Sequence, residues 1–287
     1  MGEMKIKKLG VIGTGFMGSG IAQVAAMAGL DVTIYDSRSD AVKKAIDTIK
    51  WSLEKLKSKG KFSANPAEVT KRIRAVDNLE TMSDADFVVE AIYESIPAKQ
   101  ELLDKLGKIV RPDAIIGSNT SSIPMHLLSE KVPNPERFIG THFFGPVPLM
   151  GLVELVMGPE TSKETLETAK SFAKFLGKTP IVVWKPSPGF LVNRIFNAVT
   201  MEALRCYFEG IGTPEDIDTG MRLGYGWAAG PFEVLDNAGL DIMAAIFKVM
   251  GGQPPPQIQE MLDKGWLGRK TGRGFYKYGP DGKKIKD

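Results

Sequence analysis

The sequence predicts an α/β N-terminal domain with a mainly parallel sheet, followed by an all-α C-terminal domain. Short β-branched runs alternate with helical patterns through the first 185 residues, which is typical of parallel βαβ units. The proline- and glycine-rich segment 185–189 then interrupts the chain, and helical periodicity replaces the β-branched runs beyond it. We therefore expect one domain at residues 1–185 and a second at residues 186–287.

The strands and helices follow from these local patterns. Between the second and third apolar runs, hydrophobic residues recur at helical spacing from Val42 to Leu56, with lysines on the other faces, which predicts a long amphipathic helix. Another helix is expected near Asn65-Pro66, and Thr213 before Pro214 is typical of a capped helix start. The predicted strands are Leu9–Ile12, Val32–Tyr35, Phe87–Ala91, Ala114–Ser118, Phe138–His142, Leu152–Val156 and Ile181–Trp184.

Composition narrows the class of protein. A net charge of +3, from 37 basic and 34 acidic residues, is too balanced for a nucleic-acid-binding protein and favours a metabolite as the partner. The single cysteine, Cys206, excludes an intramolecular disulfide, and a thiolate metal site needs several such ligands, so we expect no metal. The uncharged stretch from Leu9 to Leu30 contains six glycines, and we interpret it as neither a signal peptide nor a membrane span. We expect a cytoplasmic protein that does not associate with membranes.

The strongest local motif is the glycine-rich turn Gly13-Thr14-Gly15-Phe16-Met17-Gly18, which follows a strand and opens a helix. In a Rossmann-type domain, Gly13 permits the tight turn, Gly15 lets the backbone approach a pyrophosphate, and Gly18 lets the helix pack against the strand. Asp36 ends the next strand, where a carboxylate accepts hydrogen bonds from the ribose hydroxyls of NAD and repels a 2′-phosphate. The motif therefore predicts NAD as the cofactor.

Only two histidines are available for acid–base chemistry near neutral pH. His126 lies in a helix-like segment and is expected to be exposed, whereas His142 ends an apolar strand. Glu154 lies in the next strand among apolar residues, where burying it is costly unless it is paired, and this favours a contact with His142. The alternative is a strand-end histidine and an edge-strand glutamate that never meet.

Six motifs together resemble the 3-hydroxyacyl-CoA dehydrogenase family, including its bacterial 3-hydroxybutyryl-CoA dehydrogenases. The resemblance runs in order from near residue 5 to near residue 279. The motifs are Gly13–Gly18, Ser118–Ser122, His142–Pro148 with Val153-Glu154, Pro188–Arg194, Gly230–Asp236 and Gly268–Tyr278.

The resemblance implies roles for individual residues. It makes His142 the catalytic base and Glu154 its partner, with Ser121 and Asn193 contacting the substrate beside the nicotinamide. It places Glu94, Lys99, Ser121 and Lys270, together with Phe16 and Met17 of the glycine-rich turn, near NAD. It also implies that Ser52 and Lys59, on the long basic helix, contact the coenzyme A part of an acyl-CoA thioester, and that the chain forms a homodimer.

One position departs from the family, which usually has asparagine where this chain has Gly145. We expect a water to replace the missing amide, although glycine there is also compatible with a positive φ before Pro146. Two other functions stay open from the sequence: a related sugar-acid or hydroxy-acid dehydrogenase, such as a gulonate 3-dehydrogenase, and a non-catalytic NAD-binding protein. The basic helix argues against the first, and the combination of His142, Glu154, Ser121 and Asn193 argues against the second.

Overall fold

The computed structural model describes residues 6–249 and 253–285, which form two compact units. The division falls between Leu191 and Val192, a few residues beyond the boundary predicted at 185. The segment after residue 185 groups with the first unit because it bonds to the sheet there: the backbone N–H of Leu191 donates to Oε1 of Glu154 at 3.1 Å.

The first unit is built on an eight-stranded sheet with the order β3-β2-β1-β4-β5-β6-β7-β8. Neighbouring strands pair in parallel except β6 and β7, which are antiparallel, so the predicted mainly parallel sheet is confirmed. The strands are β1 Lys8–Ile12, β2 Asp31–Tyr35, β3 Ile73–Val76, β4 Phe87–Glu90, β5 Ile115–Ser118, β6 Phe138–Phe143, β7 Leu152–Val156 and β8 Thr179–Val183.

Two strand predictions need correction. The sequence did not predict β3, which lies at the edge of the sheet and has one buried residue, Ile73, followed by the exposed Arg74 and Ala75. Such a short, charged edge strand lacks the apolar run that identifies an inner strand. At the other edge, β8 begins at Thr179 and ends at Val183, so Trp184 lies outside it and is exposed.

Helices cover both faces of the sheet. The predicted amphipathic helix is α2, whose buried residues include Ala45, Ile49, Leu53 and Leu56, and α3 begins after Asn65, whose side chain accepts from the N–H of Ala67 at 3.0 Å. Separate apolar clusters form on the two faces of the sheet. The helices are α1 Phe16–Met27, α2 Ser39–Ser58, α3 Pro66–Lys71, α4 Ile96–Ile109, α5 Met125–Ser129 and α6 Lys163–Phe175.

The second unit is helical, as predicted, and in its described part only isolated β-bridges between Gly268 and Lys284 accompany the helices. Thr213 begins α8 with a capping box. Along the described ranges, every helix is too short or too polar to cross a lipid bilayer. The helices are α7 Val192–Phe208, α8 Pro214–Tyr225, α9 Pro231–Ala238, α10 Leu240–Val249 and α11 Pro256–Asp263.

Two buried carboxylates fix the end of the second unit. Asp218 accepts from the hydroxyl of Tyr276 at 2.7 Å, and Asp236 accepts from the backbone N–H groups of Phe275 and Tyr276 at 2.9 Å each. Both aspartates are fully buried, so these hydrogen bonds offset the cost of removing their charges from water. They thereby hold the segment that follows Lys270 against α8 and α9.

Candidate active site

A buried histidine–glutamate pair lies where β6 and β7 run side by side. Their antiparallel register places His142 opposite Glu154, and Nδ1 of His142 lies 2.7 Å from Oε2 of Glu154. His142 is 6% exposed and Glu154 is fully buried. The predicted contact is confirmed, and the alternative in which the two residues never meet is wrong.

The surroundings restrict the imidazole of His142. Its ring centroid lies 4.6 Å from that of Phe144 and 5.6 Å from that of Phe190. The backbone of Phe190 is held at φ 51°, a conformation that is uncommon for a bulky residue and is retained where the surroundings require it. At the end of β6, the N–H of Phe143 donates to the side-chain oxygen of Asn119 at 3.0 Å. The ring is therefore fixed by packing as well as by Glu154.

This geometry determines which imidazole nitrogen can act. Because Nδ1 faces the carboxylate of Glu154, the neutral ring donates its proton there and leaves Nε2 as the acceptor. If Nε2 gains a proton, the adjacent carboxylate stabilises the resulting imidazolium. The pair can thus accept and return one proton at Nε2.

The glycine-rich turn between β1 and α1 has the steric properties of a dinucleotide site. Gly13 has φ +87°, and a Cβ on it would lie 2.5 Å from the carbonyl oxygen of Ala91. A Cβ on Gly18 would overlap the carbonyl oxygen of Gly13, whereas a Cβ on Gly15 would meet nothing within 4 Å. Gly13 and Gly18 are therefore needed for packing, and Gly15 leaves its backbone open to a ligand, as the motif predicts.

The N-terminus of α1 has the properties of an anion-binding site. Its cap, Gly15, offers no side-chain acceptor, and the first turn contains no acidic residue. The free N–H groups and the positive end of the helix dipole therefore remain available to phosphate oxygens. Phe16, the first residue of the helix, is 68% exposed. This end of α1 fits the pyrophosphate of NAD.

Asp36 joins the glycine-rich turn to the end of β2. Its Oδ2 accepts from the backbone N–H and the hydroxyl of Thr14 at 2.8 and 3.1 Å, and its Oδ1 accepts from the N–H of Arg38 at 3.1 Å. The carboxylate thus has a structural partner in addition to the ribose that the motif predicts for it. Its position at the strand end suits the ribose of NAD.

Glu94 organises the turn that follows β5. Its Oε1 accepts from the hydroxyl of Thr120 and from the backbone N–H groups of Ser121 and Ser122, the last two at 3.0 and 3.2 Å. The ammonium of Lys99 lies 3.3 Å from its other oxygen. Burial acts to raise the pKa of Glu94, but Lys99 and these hydrogen bonds outweigh it and lower the pKa. Glu94 therefore stays ionised, and it connects Lys99 with Ser121, both of which the sequence placed near the cofactor.

Sequence reasoning missed Glu90, which is the second carboxylate bound to Lys99. Glu90 is fully buried, and Nζ of Lys99 lies 2.5 Å from its Oε1. The hydroxyl of Ser118 donates to Oε2 at 2.7 Å. A glutamate ending an otherwise apolar strand was the available signal, because a buried carboxylate requires such partners. Lys99, 1% exposed, is thus held inside the protein between two acids.

The predicted coenzyme A residues line a groove of about 350 Å³. Ser52 lies on α2, whereas Lys59 follows its last residue, Ser58, so the prediction that both are within the helix needs this correction. The groove is also lined by Phe16 and by residues 146–149 of the loop after β6. It therefore adjoins both the glycine-rich turn and the chain segment that follows His142.

The remaining predicted residues belong to the second unit. Asn193 is half-buried in the first turn of α7. Lys270 forms an ion pair with Asp241, with Nζ 2.6 Å from Oδ1. Their contacts with substrate and cofactor stay predictions. Within the described ranges, no group of three or more histidine, cysteine, aspartate or glutamate side chains is arranged to hold a metal ion.

The structure contradicts one of the two explanations that the sequence offered for Gly145, the positive φ, and the water stays a prediction. Its φ is not positive, so the backbone conformation does not require glycine. A Cβ there would lie 2.5 Å from the ring of Phe16 and 3.2 Å from the sulfur of Met17. The aromatic ring of Phe16 therefore lies against Gly145, at the position that a Cβ would take.

Comparisons with known proteins agree over most of the chain. The family model described as "3-hydroxyacyl-CoA dehydrogenase, NAD binding domain" matches residues 8–186, and the C-terminal domain of the same family matches residues 189–278. A probable 3-hydroxybutyryl-CoA dehydrogenase of Deinococcus radiodurans is 44% identical, covering 94% of this chain and 100% of the relative. The mitochondrial hydroxyacyl-coenzyme A dehydrogenase of Sus scrofa is 42% identical, covering 96% of this chain and 92% of the relative.

A solved structure has a similar fold. The crystal structure of (S)-3-hydroxybutyryl-CoA dehydrogenase from Ralstonia eutropha matches with a TM-score of 0.88 at 41% identity. The match covers 96% of this chain and 100% of that chain. The match therefore extends over both units.

Proposed function

Because this chain belongs to the 3-hydroxyacyl-CoA dehydrogenase family, we propose that it interconverts (S)-3-hydroxyacyl-CoA and 3-ketoacyl-CoA with NAD, using His142 as the acid–base residue. The observation that supports this most directly is the buried contact between His142 and Glu154. It lies at the carboxyl end of a sheet that also presents the glycine-rich turn, and ligands of such sheets bind at that edge.

His142 moves the proton in this reaction. In the oxidation direction, Nε2 accepts the proton of the 3-hydroxyl group as the hydrogen on C3 leaves as hydride. NAD, when bound, supplies the hydride acceptor. In the reduction direction, His142 returns the proton to the 3-oxygen. Glu154 keeps the proton-accepting nitrogen oriented and stabilises the imidazolium, the part played by a carboxylate behind a catalytic histidine.

The other predicted residues position the reactants. Ser121 lies in the turn that Glu94 holds, and we assign it a contact with the substrate oxygen and the cofactor. Asn193 has a corresponding role from the second unit. We assign the turn Gly13–Gly18, Asp36, Glu94, Lys99 and Lys270 to NAD, and Ser52 and Lys59 to coenzyme A.

The relatives favour a short acyl chain. Two of those compared are named as 3-hydroxybutyryl-CoA dehydrogenases, which supports 3-hydroxybutyryl-CoA and acetoacetyl-CoA as the substrate pair. On family analogy we also propose a homodimer. We propose a cytoplasmic location from the single cysteine, which is typical of a reducing compartment. Light scattering of the purified protein tests the dimer, because a monomeric mass would contradict it.

Initial rates test the proposed reaction. We expect the purified protein to oxidise NADH with acetoacetyl-CoA and to show little reduction of NAD with gulonate. Longer 3-ketoacyl-CoAs, measured under the same conditions, define the chain-length preference. Turnover of gulonate with no turnover of acetoacetyl-CoA would contradict the proposal, and the absence of turnover with any of these compounds would favour a non-catalytic NAD-binding protein.

A further inference from the structure

Trp51 is an exposed aromatic residue at the edge of the groove described above. Its side chain is 62% exposed on α2, next in sequence to Ser52, and it lines the groove together with Lys55. Because the ring of Trp51 stays in contact with water, it contributes little hydrophobic free energy to the folding of this chain. The ring of Trp51 is therefore open to a ligand that enters the groove, and such a ligand would bury this apolar surface.

The charge of the groove identifies the ligand chemistry. Lys55, Lys59 and Lys61 line it, and no aspartate or glutamate does. The residues three and four positions from Lys55 are Trp51, Ser52 and Ser58 on α2 and Lys59 just after it. None of them is acidic, so the acidic neighbours that often pair with a helical lysine are missing.

These lysines also have no acidic partner from elsewhere in the described part of the chain. Within residues 6–249 and 253–285, none of the three forms an ion pair with a carboxylate. By contrast, Lys105 and Lys108 on α4 each pair with an acid four residues away, at 2.7 Å. The groove thus has unneutralised positive charge, which suits a ligand bearing several phosphates.

The indole ring of Trp51 makes a cation–π contact with the ammonium group of Lys55. Nζ of Lys55 lies 4.4 Å from the ring centroid of Trp51. An exposed indole beside unpaired lysines is the combination that binds nucleotides, because the ring stacks on a base while the lysines meet the phosphates.

We propose that Trp51 stacks on the adenine ring of a coenzyme A substrate while Lys55, Lys59 and Lys61 bind its phosphates. This inference rests on the proposed function, since it names how that substrate is held at the end remote from the reacting carbon. The pantetheine arm then follows the groove toward residues 146–149, which come shortly after His142 in the chain.

Kinetics with full and truncated substrates test the proposal. We expect Trp51→Ala to raise KM for acetoacetyl-CoA by roughly 5-fold or more, the effect of losing one base–aromatic stack, while kcat stays unchanged. KM for acetoacetyl-pantetheine, which lacks the nucleotide, should not change. Trp51→Phe should retain most of the affinity because it keeps an aromatic face. An equal change of KM for both thioesters, or no change for either, would overturn the proposal.

The control variant is Trp184→Ala. Trp184 is 70% exposed and follows β8, which lies at the opposite edge of the sheet from β3. It is therefore an exposed tryptophan like Trp51, but it does not line the groove. Its removal should leave KM for acetoacetyl-CoA unchanged. A rise equal to that of Trp51→Ala would show that the effect is not specific to the groove, and the proposal would fail.

A binding measurement separates this inference from the proposed reaction. Adenosine 3′,5′-bisphosphate, which represents the nucleotide end of coenzyme A, is titrated by calorimetry into protein saturated with NADH so that the dinucleotide site is filled. We expect Trp51→Ala to weaken this binding roughly 5-fold or more. Equal affinity in both proteins would overturn the role of Trp51 even if acetoacetyl-CoA is turned over. Conversely, a weakened affinity without turnover would support Trp51 and contradict the reaction.

Discussion

Nδ1 of His142 lies 2.7 Å from Oε2 of Glu154, and the two residues come from antiparallel neighbouring strands. The carboxylate has no exposed surface, and its other oxygen accepts from the N–H of Leu191 at 3.1 Å. Because both carboxylate oxygens are engaged, the charge is fixed in position behind the imidazole. The proton-accepting nitrogen, Nε2, is thereby set before any substrate arrives.

Replacing His142 by Gln should lower kcat by at least roughly 10²-fold, since a positioned acid–base group contributes that much or more. The affinity for NADH should stay nearly unchanged, because His142 is not part of the glycine-rich turn. Steady-state rates with acetoacetyl-CoA and a fluorescence titration with NADH measure the two quantities. Folded protein that keeps near wild-type kcat would show that another group transfers the proton.

Replacing Glu154 by Gln should lower kcat by roughly 10-fold or more, because the amide cannot stabilise the imidazolium as a carboxylate does. The amide oxygen can still accept from Nδ1–H or from Leu191, so we expect the variant to fold. Its melting temperature and NADH affinity serve as controls in the same preparation. An unchanged kcat would mean that the charge of Glu154 has no part in turnover.

Because of Asp36, kcat/KM with NADH should be roughly 10-fold or more above that with NADPH. NADPH loses the charged hydrogen bonds between Asp36 and the ribose, and the carboxylate repels its 2′-phosphate. Arg38, two residues later, acts in the opposite direction by attracting a 2′-phosphate. Asp36→Ala should reduce the preference and also loosen the turn at Thr14, which Asp36 holds at 2.8 Å. Equal kcat/KM for the two cofactors in the wild type would contradict this assignment.

Glu94 should make the stability of the folded protein decrease as the pH is lowered. Its folded pKa lies below the ordinary value of 4.5, so its contribution is fully present above pH 4.5 and is lost as pH falls through the folded pKa. Glu94→Gln should therefore lower Tm by at least about 2 °C at pH 7, and the difference should shrink below pH 4.5.

Thermal unfolding of both proteins at several pH values measures this difference, with Glu101→Gln as the matched control. Glu101 forms an exposed ion pair with Lys105 at 2.7 Å, and such surface pairs contribute little. The Tm of Glu101→Gln should stay within about 1 °C of that of the wild type. A Tm difference for Glu94→Gln that is constant from pH 7 to pH 4 would contradict the assigned charge effect.

Periodicity and the glycine-rich turn predicted most of the fold and part of the site. The contact of His142 with Glu154 was predictable because neighbouring strands place their facing residues together. The edge strand Ile73–Val76 was not, because its pairing with β2 depends on the sheet and not on an apolar run. Glu90 was missed for a similar reason: its partners, Lys99 and Ser118, come from separate elements.

Gly145 is the position where sequence and structure lead to different expectations. The sequence favoured a water in place of the family's asparagine. In the structure, a Cβ added to Gly145 would lie only 2.5 Å from the ring of Phe16. Gly145→Asn should therefore crowd Phe16 and cost about 1 kcal/mol of stability, the lower end of overpacking effects, because a 68% exposed ring can turn aside.

A double-mutant cycle tests this coupling through the free energy of unfolding of the wild type, Gly145→Asn, Phe16→Ala and the double variant. Since the cost of asparagine arises from the ring, Phe16→Ala should remove most of it, and the two changes should not be additive. Gly151→Asn is the matched control, because a Cβ on Gly151 would meet nothing within 4 Å. If Gly145→Asn destabilises the protein equally with and without Phe16, the ring is not the reason that this chain has glycine at position 145.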